Sequence, residues 1–121
     1  TTRNAYHLYM FRYDAEAFGG LSRDRFREAL GAEGIPSSPG YTPLNGQPFL
    51  KEALYSRGFL KVYGKEAIDG YFERMACPEN DRLCTESVWF TQNMLLGPQQ
   101  DMDDIADAIE KIHANVTALM A

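Results

Sequence analysis

A chain of 121 residues, 45% hydrophobic and 12% aromatic, carries enough apolar material for one folded domain and too much for a disordered segment. Its formal charge of −5 argues against nucleic acid, which needs a basic face to displace counterions, and against an anionic membrane surface. No apolar run approaches the ~18–20 residues of a transmembrane helix.

In chain order, Tyr6–Tyr13 comes first. Leu8 and Met10 fall on one parity and Tyr9, Phe11 and Tyr13 on the other, which predicts a strand covered on both faces. Asp14–Leu21, with Gly19-Gly20, reads as a loop. Ser22 is then an N-cap and Asp24 a first-turn carboxylate. Phe26, Ala29 and Leu30 make a buried stripe, Gly34 stops the helix, and Ile35-Pro36 closes it.

Pro36, Pro39 and Pro43 make the next stretch extended or turned, since each removes a backbone donor. Pro48 suits the first position of a short helix with Phe49, Leu50, Ala53 and Leu54 inward and Gly58 ending it. Leu60–Ala76 has no clear period; Gly64 and Gly70 separate short apolar clusters. Pro78 opens another helix, to about Glu86, and Ser87–Asn93 is a strand centred on Val88-Trp89-Phe90, broken by Gly97-Pro98. Asp101 is read as the cap of the last helix, with Asp103, Asp104 and Asp107 near its positive end. Along that helix Met102, Ile105, Ile109, Ile112, Val116 and Leu119 form one apolar seam. The order of elements predicts an α+β fold: a small, mostly antiparallel sheet with helices on one face. No linker divides the chain, so residues 1–121 are expected to form a single domain.

The residues that carry chemistry are sparse. His7, within a strand, and His113, on the last helix, belong to no visible triad. The acidic run from Asp101 to Asp107 lacks the spacing, central Gly and terminal Glu of a calcium loop, so no metal is expected. Cys77 and Cys84 form neither a C-x-x-C motif nor a zinc pair and fit a reducing cytoplasm. No glycine fingerprint cradles phosphate. Lys51, Lys61, Lys65 and Lys111 each read as solvated rather than as the desolvated amine that Schiff-base chemistry needs.

An ordered set of segments resembles the C-terminal small domain of the DegT/StrS-type aminotransferases. It begins with the Tyr6–Tyr13 strand and Leu21-Ser22-Arg23-Asp24, then Glu33-Gly34-Ile35-Pro36 and Gly40-Tyr41-Thr42-Pro43-Leu44-Asn45. Cys77-Pro78-Glu79 follows, then the Trp89 strand, Leu95-Leu96-Gly97 and Asp103-Asp104-Ile105. The resemblance implies part of a longer fold-type I enzyme whose cofactor lysine lies in a large domain preceding this one. Pyridoxal phosphate, a homodimer, and transfer of an amino group from glutamate or glutamine to a keto-sugar or cyclic ketone are implied with it. Within the family the likeness is nearest to members acting on amino-cyclitols or aminohydroxybenzoate precursors. The isolated chain is then expected to hold no cofactor and no catalytic residue. Its share would be substrate binding, with Arg3 pairing with an anion and Tyr41 and Asn45 meeting ring hydroxyls. Nucleotide-sugar members often carry His where this chain has Asn45, which weighs against a nucleotide-sugar substrate. A free-standing, non-catalytic binding module of the same fold is the rival expectation.

Overall fold

The computed structural model describes residues 7–120. The fold is α+β, and the chain packs as two compact units, Thr1–Gly40 with Thr85–Ala121, and Tyr41–Cys84.

In the first unit, strands β1 (Leu8–Arg12) and β2 (Ser87–Thr91) pair antiparallel, with Tyr9 opposite Phe90 and Phe11 opposite Val88. Residues directly opposite share a face, so these four make one apolar surface. Helices α1 (Arg23–Ala32) and α6 (Gln99–Ala114) pack against its Val88 and Phe90 end. Phe26 and Leu30 of α1 and Ala108 and Ile112 of α6 form one core with Val88, Phe90, Tyr13, Leu21 and Ile35. This is the expected small antiparallel sheet with helices on one face. The other face carries Trp89, which Ser38 meets as an isolated antiparallel bridge, each amide donating to the other's carbonyl at 3.0 and 2.9 Å.

The expectation that the first strand is covered on both faces does not hold. Tyr9 is 52% and Met10 47% exposed. Met10 lies on the face away from the helices, and on the helix side Tyr9 borders an open apolar groove that α6 leaves unfilled.

Helix α1 follows its local chemistry closely. The Ser22 hydroxyl accepts from the Arg25 amide at 3.2 Å. At the other end Gly34 takes φ +85°, where a Cβ is costly, and the Ile35 amide returns to the Leu30 carbonyl at 2.9 Å. Ile35 is thereby buried.

The last helix begins at Gln99, two residues before the expected cap. Pro98 occupies the capping position in an extended conformation, which its fixed φ allows, and Asp101 instead lies in the first turn. Gln99 and Gln100 donate to Asp103 and Asp104, each at 2.8 Å. The seam continues past a break at Asn115 into the short helix α7 (Val116–Leu119). Ile112 is buried, while Ile105, Ile109, Val116 and Leu119 pack against the core half-exposed.

In the second unit, helices α2 (Pro48–Leu54), α3 (Arg57–Tyr63) and α4 (Lys65–Arg74) follow in sequence, and α5 (Pro78–Glu86) begins there. Gly58 does not end a helix as expected. The break falls at Tyr55-Ser56, where Ser56 turns extended, and Gly58 sits inside α3. The stretch without a legible period is mostly helical, and of its two glycines only Gly64, at φ +79°, separates helices. Phe49, expected inward, is 58% exposed; Ile68 is the one buried residue of this unit.

Candidate functional site

The segment that leads to the expected substrate turn is tightly held. Arg27 Nη2 donates to the Ser37 carbonyl at 2.9 Å, and Arg23 Nη1 and Ser87 Oγ donate to the Pro39 carbonyl at 3.3 and 3.0 Å. Gly40 then adopts φ +79°, and a Cβ there would lie 2.6 Å from Ser87 Oγ and 2.9 Å from the Trp89 indole. Only glycine meets both demands. The first of the two segments that make up the first unit ends at this residue.

The turn itself, in the second unit, is shaped by side chains. Gln47 Nε2 donates to Thr42 Oγ1 at 3.2 Å and to the Pro43 carbonyl at 3.0 Å, and its backbone amide reaches the Leu44 carbonyl at 3.1 Å. Asn45 Nδ2 donates to the Met75 carbonyl at 2.8 Å. Asn45 is half-buried and Tyr41 is 71% exposed. Arg3, the third expected binding residue, lies outside the described residues. Gln47 is the residue that sequence reasoning missed: a glutamine just before a first-position proline can reach back over the turn it ends.

A second feature of the first unit was not foreseen from sequence. A polar cavity of about 720 Å³ is lined by Arg12, Tyr13, Asp14, Glu16, Arg23 and Glu86, among others. Arg12 Nε donates to Glu86 Oε2 at 2.7 Å, and its Nη2 contacts the same oxygen. Asp14 accepts from the amides of Glu16 and Ala17 at 3.0 and 3.3 Å. Tyr13, 5% exposed, donates its hydroxyl to the Leu21 carbonyl at 2.9 Å. Burial, with the nearby Asp14 charge adding to it, pushes this phenol up to about 12. The cavity presents both signs of charge beside a neutral phenol, which suits a polar uncharged guest.

The remaining chemical candidates are dispersed. His7 precedes β1 and is exposed rather than set within the strand. His113 Nε2 lies 3.1 Å from the Ala17 carbonyl, with its ring edge-on to Phe18. Cys77 and Cys84 are free thiols. Among the described residues no cluster of His, Cys, Asp or Glu is disposed to hold a metal ion. No helix there is long and apolar enough to cross a membrane.

The lysines bear on pyridoxal phosphate, whose anchoring amine must shed its proton. Lys51 and Lys61 are exposed on α2 and α3. Lys65 donates to Asp69, and that hydrogen bond and charge hold its ammonium above the ordinary lysine value, the opposite of what is required. Lys111 is paired with Glu33 at 2.8 Å. None of the four fits the anchoring role.

No protein-family model matches this chain. Similar proteins are aminotransferases. Against the L-glutamine:2-deoxy-scyllo-inosose aminotransferase of Streptomyces kanamyceticus it is 34% identical over 122 residues, covering 100% of this chain and 28% of that protein. Against the enzyme of the same name from Streptoalloteichus tenebrarius the identity is 35% over 113 residues, covering 93% and 26%. The L-glutamine:scyllo-inosose aminotransferase of Streptomyces griseus is 32% identical over 117 residues, covering 96% and 27%. The chain is therefore similar, over nearly all of its own length, to a part of these aminotransferases amounting to little more than a quarter of theirs.

Proposed function

We propose that this chain is the C-terminal, substrate-side domain of a DegT/StrS-type, pyridoxal-phosphate-dependent aminotransferase. The reaction is transfer of an amino group from glutamine to a cyclic ketone of the inosose class. The observation that supports this reading is the similarity of almost the whole chain to about a quarter of several L-glutamine:inosose aminotransferases. The intact enzyme is a cytoplasmic homodimer whose large domain, on the same polypeptide, supplies the anchoring lysine. Pyridoxal phosphate bound there provides the electron sink for amino transfer. This domain binds and orients the ring substrate, through Arg3 and the Tyr41–Asn45 turn.

The test is expression of the complete reading frame that encodes the chain, followed by assay of glutamine-dependent amination of scyllo-inosose and 2-deoxy-scyllo-inosose. Turnover with added pyridoxal phosphate is expected from the long product. The 121-residue chain alone should give neither turnover nor a stoichiometric visible absorbance band with the cofactor. A band on the short chain that disappears on changing one of its four lysines sinks the proposal. A reading frame that encodes only this chain supports the free-standing binding module instead.

A further inference from the structure

Gln47 stands at the N-cap of helix α2, extended at φ −74° and ψ 132°, yet its side chain makes no capping bond. Capping positions favour the short side chains of Asn, Asp and Ser, which reach the first-turn amides. The longer glutamine turns the other way. Its amide nitrogen has two hydrogens and two acceptors, Thr42 Oγ1 and the Pro43 carbonyl, and its backbone amide takes the Leu44 carbonyl. Those three bonds fall on the three residues that separate Tyr41 from Asn45. Asn45 itself is held at Met75. Clamping this turn secures no core, because Tyr41 and Leu44 are exposed and none of residues 41–47 is buried. Ordering an exposed segment costs conformational entropy with no burial to offset it. A helix start that forgoes its cap to fix an exposed turn is the local conflict expected where side chains are held ready for a ligand.

We infer that Gln47 is a positioning residue for the ring substrate: it fixes the spacing of Tyr41 and Asn45 before the cyclic ketone arrives, and acts through them. This rests on the proposed function above. Hydroxyls on a closed ring stand at set separations, so two contacts made together need two side chains at a matching separation. A loose turn would lose one contact, or forfeit affinity by ordering itself on binding. The clamp removes that penalty in advance, because its bonds are made within the turn and need no substrate.

Gln47→Asn tests this, because asparagine can cap α2 but is too short to span both acceptors of the turn. In the 121-residue chain, amide exchange should speed across residues 41–46 and not across α2. In the protein encoded by the complete reading frame, kcat/KM for scyllo-inosose should fall by roughly tenfold, the worth of the lost side-chain bonds. The fall should come through KM, as expected when binding alone is weakened, and kcat/KM for glutamine should stay unchanged. Gln47→Glu keeps the length but has no hydrogen for the Pro43 carbonyl, and should show the same split between the two substrates. Unchanged exchange across residues 41–46 in both variants overturns the inference. So does an equal fall for inosose and glutamine, which makes the residue merely structural. A parent long protein that aminates neither inosose removes the aminotransferase reading and the positioning role with it. Turnover by the parent, with no split in either variant, removes the positioning role alone.

Discussion

The side-chain amide of Asn45 donates to the backbone carbonyl of Met75 at 2.8 Å, tying the turn that opens the second unit to the end of its helix α4. One amide hydrogen of the residue proposed to meet the substrate is thus already committed, which leaves its second N–H to donate and Oδ1 to accept. Asn45→Ala is expected to cost ~0.5–1.5 kcal/mol, the net worth of one such bond. It should speed amide exchange across residues 41–47 in the short chain. In the long protein Arg3→Ala should cut kcat/KM on an inosose by roughly ten- to hundredfold, the equivalent of ~1.5–3 kcal/mol for a charge-assisted contact, without changing exchange in that turn. Unchanged exchange in Asn45→Ala shows that the bond to Met75 does not hold the turn; unchanged kinetics in Arg3→Ala removes that residue from the site.

Tyr13 gives a pH signature. Its phenol is buried, donates to the Leu21 carbonyl, and is raised to about 12. A folded value above the unfolded value of 10.0 means that the neutral form is the one the fold favours. Its contribution is fully present below pH 10 and is lost as the pH climbs through 12. Urea unfolding followed by Trp89 fluorescence should therefore show a fall in midpoint between pH 10 and 12. Tyr13→Phe should lower the midpoint at neutral pH, by ~1 kcal/mol for the lost hydrogen bond, and flatten the alkaline fall. An alkaline profile identical in both proteins rules out Tyr13 as its source.

What could be read from the sequence was what short-range chemistry decides. Ser22, Gly34 and Ile35 fixed both ends of α1, because capping depends on residues within a turn of each other. The seam from Ile105 to Leu119 was visible because its period is long and regular. The second unit was harder to read for two reasons. Its helices are short, and the residues inside them do not alternate cleanly between buried and exposed, as Phe59, Val62 and Tyr63 illustrate. Gly58 misled because a glycine stops a helix only where a positive φ is used; here Gly64 uses it and Gly58 does not. Of the candidate site, Tyr41 and Asn45 could be named from the turn, but the cavity of Arg12, Arg23 and Glu86 could not. Arg12 and Glu86 lie far apart in sequence and meet only because β1 pairs with β2.

Gly40 is the strictest backbone requirement near the candidate site. Gly40→Ala combines φ +79°, a region that costs a residue with a Cβ ~1–2 kcal/mol, with contacts at 2.6 and 2.9 Å to Ser87 and Trp89. The substitution should shift the emission of Trp89, the chain's single tryptophan, and speed exchange of the Ser38 and Trp89 amides that bond across the bridge. Slow exchange at both amides in the variant, equal to the parent, contradicts the close approach.

The last helix should divide sharply along its own seam. Ile112 is 3% exposed within the core, whereas Ile105 lines an open apolar groove of about 420 Å³ with Tyr9, Phe11, Phe90 and Leu95. Truncating a buried isoleucine leaves a void that its neighbours cannot fill, at ~2–5 kcal/mol. Truncating one that already borders solvent forfeits only part of its transfer energy, because water reaches the space. Ile112→Ala should therefore lower the urea midpoint of the Trp89 transition far more than Ile105→Ala, with similar slopes in both. Substituting aspartate widens the gap: Ile112→Asp should abolish folding of this unit, and Ile105→Asp should leave it folded but weakened. An Ile105 variant as damaging as its Ile112 counterpart requires the groove to be closed in solution, with Tyr9 and Phe11 folded down over α6.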